Sequence, residues 1–285
     1  MRSASSMVAN AGTAAAVVER AGLVLRAASA LVLAPVAVGA TLLGGPAFDL
    51  LIAAGAGVLV WEWGRLCGEG RFGHAGTALL GFVLATVLAA SLSLVASAVA
   101  LTLGGALVVD RLAVAQGDPR PHWRGAGVLY VGVPATALLW LRDVAHGDRL
   151  VLWLFIVVWA TDIGAYAVGR LVGGPRLAPR LSPHKTWAGL GGGIAAAAAA
   201  GAAAARGFAS ADAAILTVLS AVLAVVAQIG DLVESAVKRH FKVKDMSSLI
   251  PGHGGLFDRV DGLLAAAPAV ALVQLIWGGS VLAWR

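Results

Sequence analysis

The stretch RLVLWLFIVVWATDIGAYAVG, Arg149 to Gly169, decides the fold. Its apolar residues surround the whole helical circumference instead of forming one stripe, and they do not alternate as they would in a half-buried strand. A helix of about 20 such residues crosses about 30 Å of hydrocarbon. Lipid offers no water to the backbone, so a helix, which satisfies every N–H and C=O internally, is the economical form for this stretch. Asp162 interrupts the run. A carboxylate at bilayer depth is costly, and two readings suit it: a hydrogen-bonded packing residue facing Tyr166, or the wall of a polar substrate funnel. The cost favours the funnel.

Working outward, similar stretches recur along the chain. Hydrophobic residues make up 59% of it, charged residues 13%, and the mean hydropathy is +0.87, which excludes a water-soluble domain. We place spans near 22–43, 48–63, 75–91, 93–109, 125–141, 149–169, 187–205, 212–230 and 262–283. The fold class is therefore all-α: a polytopic integral membrane protein of about nine transmembrane helices. No extended strand pattern competes. Only Ser91 and Ser93 divide the third span from the fourth.

Lys and Arg concentrate in cytoplasmic loops of membrane proteins. With the N-terminus cytoplasmic, all but Arg142, Arg149, Arg206 and Arg285 of the 21 basic residues fall on the cytoplasmic side. This bias accounts for the net charge of +6 and needs no nucleic-acid partner. Residues 1–21 have no compact apolar core before a cleavage site, so they read as a cytoplasmic tail, not a signal peptide. Residues 22–285 form a single membrane domain in this reading. The lone Cys67 excludes an internal disulfide. The run GGGIAAAAAAGAAAA, 191–205, suits close helix packing.

Polar chemistry gathers in two predicted cytoplasmic segments, 161–189 and 231–262. All four lysines, Lys185, Lys238, Lys242 and Lys244, lie there, in a chain that otherwise uses Arg. A compact ammonium suits a single phosphate oxygen; a solvated basic patch on anionic lipid is the bland alternative. On one continuous helix Asp231, Ser235, Lys238 and Lys242 would share a face within roughly 60°. The glycine-rich PGHGGLFDRVDG, 251–262, leads into a helix start that carries Asp258 and Asp261 three residues apart. Glycines admit close backbone approach and helix N-termini favour phosphate. Carboxylate oxygens suit Mg²⁺ completed by substrate phosphates. The constellation reads as a metal and phosphate site at the cytoplasmic mouth of the helices, against a structural ion-pair network.

Ser235 to Asp261, SAVKRHFKVKDMSSLIPGHGGLFDRVD, resembles the signature of the phosphatidate cytidylyltransferases essentially position for position. Thr161 to Arg170, TDIGAYAVGR, and Leu181 to Gly189, LSPHKTWAG, look like that family's second motif region, with His184 and Ala188 standing where Lys and Glu are usual. The resemblance implies a polytopic enzyme, a homodimer, that converts CTP and phosphatidate to CDP-diacylglycerol and pyrophosphate with Mg²⁺, with K⁺ beside it. It implies Asp231, Asp258, Asp261 and Lys238 as catalytic, with Asp231 and Asp258 as metal ligands and Asp261 supporting or sharing the metal. It further implies Ser182, Lys185, Thr186, Ser235, Arg239, Lys242, Lys244, His253 and Arg259 as substrate-binding, alongside Asp162. Arg and Ala richness suggests a GC-rich bacterium and hence its inner (plasma) membrane.

Glu62 is either a partner of Arg65 or a wall of the substrate cavity. His184 and His253, beside several carboxylates, are not read as zinc ligands. Two competing functions remain at this stage. A CDP-alcohol phosphotransferase would share the spacing of Asp258 and Asp261, but needs an upstream D-G-x-x-A-R that is missing here. An ion-coupled transporter would also carry buried acids, but in paired halves, whereas here the chemistry crowds the C-terminal half.

Overall fold

The computed structural model describes residues 31–208, 212–249, 254–278 and 282. The expected tail and His253 lie outside the described residues. So does the beginning of the first expected span, whose described part forms a short apolar helix, α1 (Leu31–Leu43). Eight further helices are long and apolar enough to cross a membrane: α2 (Gly45–Cys67), α3 (Gly73–Ser91), α4 (Val95–Ala115), α5 (Pro121–Asp143), α6 (Gly147–Val172), α7 (Trp187–Phe208), α8 (Ala213–His240) and α9 (Phe257–Trp277). The protein is an all-α, multi-pass membrane protein.

Local chemistry sets several of the boundaries. Pro121 opens α5, where a missing N–H costs nothing. The Asp212 carboxylate caps α8 by accepting from the N–H groups of Ala214 and Ile215 at 2.7 and 3.0 Å. Ser93, in the turn between α3 and α4, donates its hydroxyl to Asp143 Oδ2 at 3.0 Å and so ties that turn to the end of α5. Small residues then let the helices touch. A Cβ on Gly164 of α6 would stand 2.6 Å from the Gly192 carbonyl oxygen of α7, so the glycine-alanine run serves helix packing, as expected.

The connections α2–α3, α4–α5, α6–α7 and α8–α9 meet at one end of the bundle. Buried Arg124 pairs with Asp118 at 2.9 Å and donates to the carbonyls of Phe72 and Arg71 at 3.0 and 3.2 Å. Arg120 lies over the Phe241 ring, and Trp123 stands 4.9 Å from His240. Arg239 reaches the Leu181 carbonyl at 3.3 Å. These contacts hold the two motif segments in one place.

Three local features differ from the expectations. The α6–α7 connection contains an antiparallel hairpin, β1 (Arg176–Ala178) with β2 (Ser182–Thr186), too short to leave an alternating pattern. Helix α8 does not stop near residue 230 but continues through the motif to His240. Lys242 falls beyond that end, exposed and at φ 57°, so it does not share the helical face of Asp231, Ser235 and Lys238. The left-handed turn redirects the chain before a further helical turn can form.

Candidate active site

Helix α8 supplies one side of the site. Asp231, Glu234 and Lys238 follow at intervals of three and four residues and so project to one side. Helix α9 supplies the other, and Gly230 lets it approach: a Cβ there would stand 2.7 Å from the Asp261 carbonyl oxygen. The consequence is a group of three carboxylates, Asp231, Glu234 and Asp261, with one oxygen from each lying within 4.8 Å of the others.

Like charges held so close in a low-dielectric setting call for a cation or a shared proton. Lys238 answers part of that need, with Nζ 2.5 Å from Glu234 Oε2 and 2.7 Å from Asp258 Oδ1. Glu234 is nevertheless 1% exposed, and its Oε1 has no hydrogen-bond partner among the described residues. A buried carboxylate oxygen left unpartnered beside two more carboxylates fits a hard divalent cation. Asp258 lies outside this group. Its Oδ1 accepts from Lys238, and its Oδ2 accepts from the N–H groups of Met246 and Gly255 at 3.1 and 2.7 Å.

Lys185 joins the two motif segments. From β2 its ammonium reaches Asp231 Oδ2 at 2.5 Å and Gln228 Oε1 at 3.1 Å. A cleft of about 540 Å³ opens beside this contact, lined by Asp162, Tyr166, Arg170, His184, Lys185, Thr186 and Asp231 among others. Asp162 therefore belongs to the cleft wall and not to helix packing. The hydroxyl of Tyr166 instead receives Arg170, at 2.7 Å.

The other expected residues spread outward from this centre. Ser235 donates weakly to Asp231 at 3.4 Å. Thr186 accepts from the Gly189 N–H at 3.0 Å, which starts α7, while it also lines the cleft. Ser182 pairs in register with Ala178 and is not among the residues lining the cleft. Arg239 spans the Leu181 and Val243 carbonyls, Lys242 and Lys244 are exposed on the connection after α8, and Arg259 is exposed on the first turn of α9. Glu62 follows neither expected course: Arg65 lies over the Trp61 ring, and the Glu62 carboxylate turns to the start of α9.

Two site residues escaped sequence reasoning. Gln228 gave no signal. Glu234 did, since it stands three residues after Asp231, the same spacing that singled out Asp258 and Asp261.

Residues 24–277 match the profile of the Cytidylyltransferase family. The chain belongs to that family. Among similar proteins, this cytidylyltransferase family member is 41% identical to the phosphatidate cytidylyltransferase of Brucella suis over 255 residues, covering 88% of this chain and 93% of the relative. It is 40% identical to the phosphatidate cytidylyltransferase of Pseudomonas aeruginosa over 263 residues, covering 88% and 96%. A shorter match, 38% over 152 residues, links it to the phosphatidate cytidylyltransferase of Staphylococcus saprophyticus, with 52% of this chain and 57% of the relative covered.

Proposed function

We propose that this enzyme is a nucleotidyltransferase that moves the cytidylyl group of CTP to phosphatidate, giving CDP-diacylglycerol and pyrophosphate in phospholipid biosynthesis. The observation that carries the reading is the group Asp231, Glu234 and Asp261 at the join of α8 and α9, flanked by Lys185 and Lys238. Oxygen-only donors of this kind suit Mg²⁺, which keeps several waters and takes substrate phosphates as its remaining ligands. When bound, Mg²⁺ would neutralise triphosphate charge and favour the departure of pyrophosphate. Asp231, Glu234 and Asp261 would hold it, with Asp258 next to them through Lys238. Three carboxylates beside one divalent ion leave negative charge that K⁺ would offset.

The phosphate of phosphatidate is already ionised at neutral pH. Its oxygen attacks the α-phosphorus of CTP, the bond from that phosphorus to the bridging oxygen of the β-phosphate breaks, and pyrophosphate leaves with the electron pair. No protein base is required, so the protein's work is positioning and charge neutralisation. Lys185 and Lys238 each hold an ammonium beside the carboxylates, where a single phosphate oxygen can exchange for a carboxylate partner. The cleft next to Lys185, bounded by membrane helices α6, α7 and α8, lets acyl chains stay in lipid while the phosphate reaches the polar end. In this proposal the basic loops gathered at this end support a cytoplasmic orientation in a bacterial inner membrane, and the family resemblance suggests assembly as a homodimer.

Pyrophosphate release by the purified enzyme in detergent tests the reading. Release from CTP only when both phosphatidate and Mg²⁺ are present supports it. Release independent of phosphatidate, or none with both present, contradicts it.

A further inference from the structure

Glu62 lies on α2, in the half of the chain that holds none of the motif residues, and it is 1% exposed. Its carboxylate serves the start of α9. Oε1 accepts from the Leu256 N–H at 2.8 Å and from the Ser247 hydroxyl at 2.5 Å, and Oε2 accepts from the Phe257 N–H at 2.9 Å. Helix α9 has no cap of its own, because Leu256 at the cap position offers no side-chain acceptor. The first N–H groups of a helix need acceptors, and a negative charge is favoured at that end. Glu62 provides both from another helix.

The preceding glycines are shaped by this contact. A Cβ on Gly255 would stand 2.6 Å from Glu62 Oε1, and one on Gly254, at φ +80°, would stand 2.8 Å from Asp258 Oδ2. The chain thus threads between two carboxylates with no room for a side chain on either residue. The rings of Trp63, Tyr130 and Phe257, with centroids 5.1 to 5.7 Å apart, pack in the same region, and burial in such apolar surroundings strengthens the hydrogen bonds to Glu62. Asp258 and Asp261 lie one and four residues beyond Phe257, so the rotation and height of α9 fix where both carboxylates stand. Three hydrogen bonds to one buried carboxylate tie that rotation to α2.

We infer that Glu62 is a positioning residue for the divalent cation: acting through the first turn of α9, it sets Asp261 against Asp231 and Glu234, and Asp258 against Lys238, without touching substrate. The inference rests on the proposed reaction for its meaning, but not for its test. Glu62→Gln keeps the size of the side chain and turns an amide NH₂ toward a backbone N–H, leaving one donor unmet. The variant and the wild type are titrated with Mg²⁺ in detergent, following the melting temperature without substrate and, separately, CDP-diacylglycerol formation. In Glu62→Gln the half-saturating Mg²⁺ should rise about tenfold in both, equivalent to about 1.4 kcal/mol of binding. Arg65→Ala, on the exposed neighbouring turn, should leave it unchanged.

A residue needed only for packing would lower the melting temperature equally at every Mg²⁺ concentration, and an unchanged midpoint therefore overturns the inference. So does a wild type whose melting temperature ignores Mg²⁺. Should Glu62→Gln fail to fold, Ser247→Ala, which removes a single contact to Oε1, decides the matter: the midpoint should rise about threefold, and no rise overturns the inference. A wild type that responds to Mg²⁺ but forms no CDP-diacylglycerol contradicts the proposed reaction and leaves the melting titration to judge Glu62.

Discussion

Lys238 stands between two carboxylates, 2.5 Å from Glu234 and 2.7 Å from Asp258, and its identity as lysine can be tested. The guanidinium of Lys238→Arg keeps the charge but puts a planar fork where a point donor fits. We expect at least a tenfold loss in kcat/KM, about 1.4 kcal/mol of transition-state stabilisation. Arg71→Lys, whose exposed residue is hydrogen-bonded through its backbone N–H and carbonyl, is the control and should be silent. Equal harmlessness of the two would return Lys238 to the topology-setting charges. Asp258→Asn keeps its volume but loses the charge that faces Lys238 and two backbone N–H groups, so turnover at millimolar Mg²⁺ should vanish while membrane insertion persists. Glu234→Gln should behave alike, and near-normal turnover of either would remove that residue from the site. Concentrated lysines and spaced acids made much of this centre legible in the sequence. What stayed hidden was how the acids divide, because the pairing of Asp258 with Lys238 and of Asp261 with Asp231 and Glu234 depends on the rotation of α9 against α8.

Helix α8 meets α9 at a glycine, and that contact carries the site. In Gly230→Ala the new methyl would stand 2.6 Å from the Ala265 Cβ and 2.7 Å from the Asp261 carbonyl oxygen, so α9 must shift. The overpacking should cost about 1–3 kcal/mol, seen as a lower melting temperature in detergent, and activity should fall with it as Asp261 leaves its partners. A variant as stable and active as the wild type would show that the contact tolerates a methyl and does not set the site. Apolar length was enough to place the helices, and the turn at Ser93 lies where two serines interrupt a long run. The polar last turns of α8, to His240, were legible only through the shared helical face of Asp231, Ser235 and Lys238, since hydropathy alone ends the span near residue 230. The hairpin before α7 was hidden for a different reason: strands of three and five residues within a Pro- and Gly-bearing connection leave no periodicity.

Among the described residues the connections that carry the motifs meet at one end, and the proposed orientation, argued from charge asymmetry, turns that end to the cytoplasm. In a Cys67→Ala background, which removes the single buried thiol, a cysteine at the exposed position 244 should react with an impermeant thiol reagent only from the cytoplasmic side. A cysteine in place of exposed Ala145, on the α5–α6 connection, should react only from outside. Labelling of both from one face would overturn the proposed orientation. That connection and the site lie at opposite ends of α6, which separates them by the thickness of the bilayer. The reaction itself is tested most directly by following two labels of CTP in the purified enzyme with phosphatidate and Mg²⁺. Label at the α-phosphorus should pass into the extractable lipid as CDP-diacylglycerol, while label at the γ-phosphorus remains in water as pyrophosphate. Passage of the γ label into lipid, or failure of the α label to enter it, would contradict cytidylyl transfer.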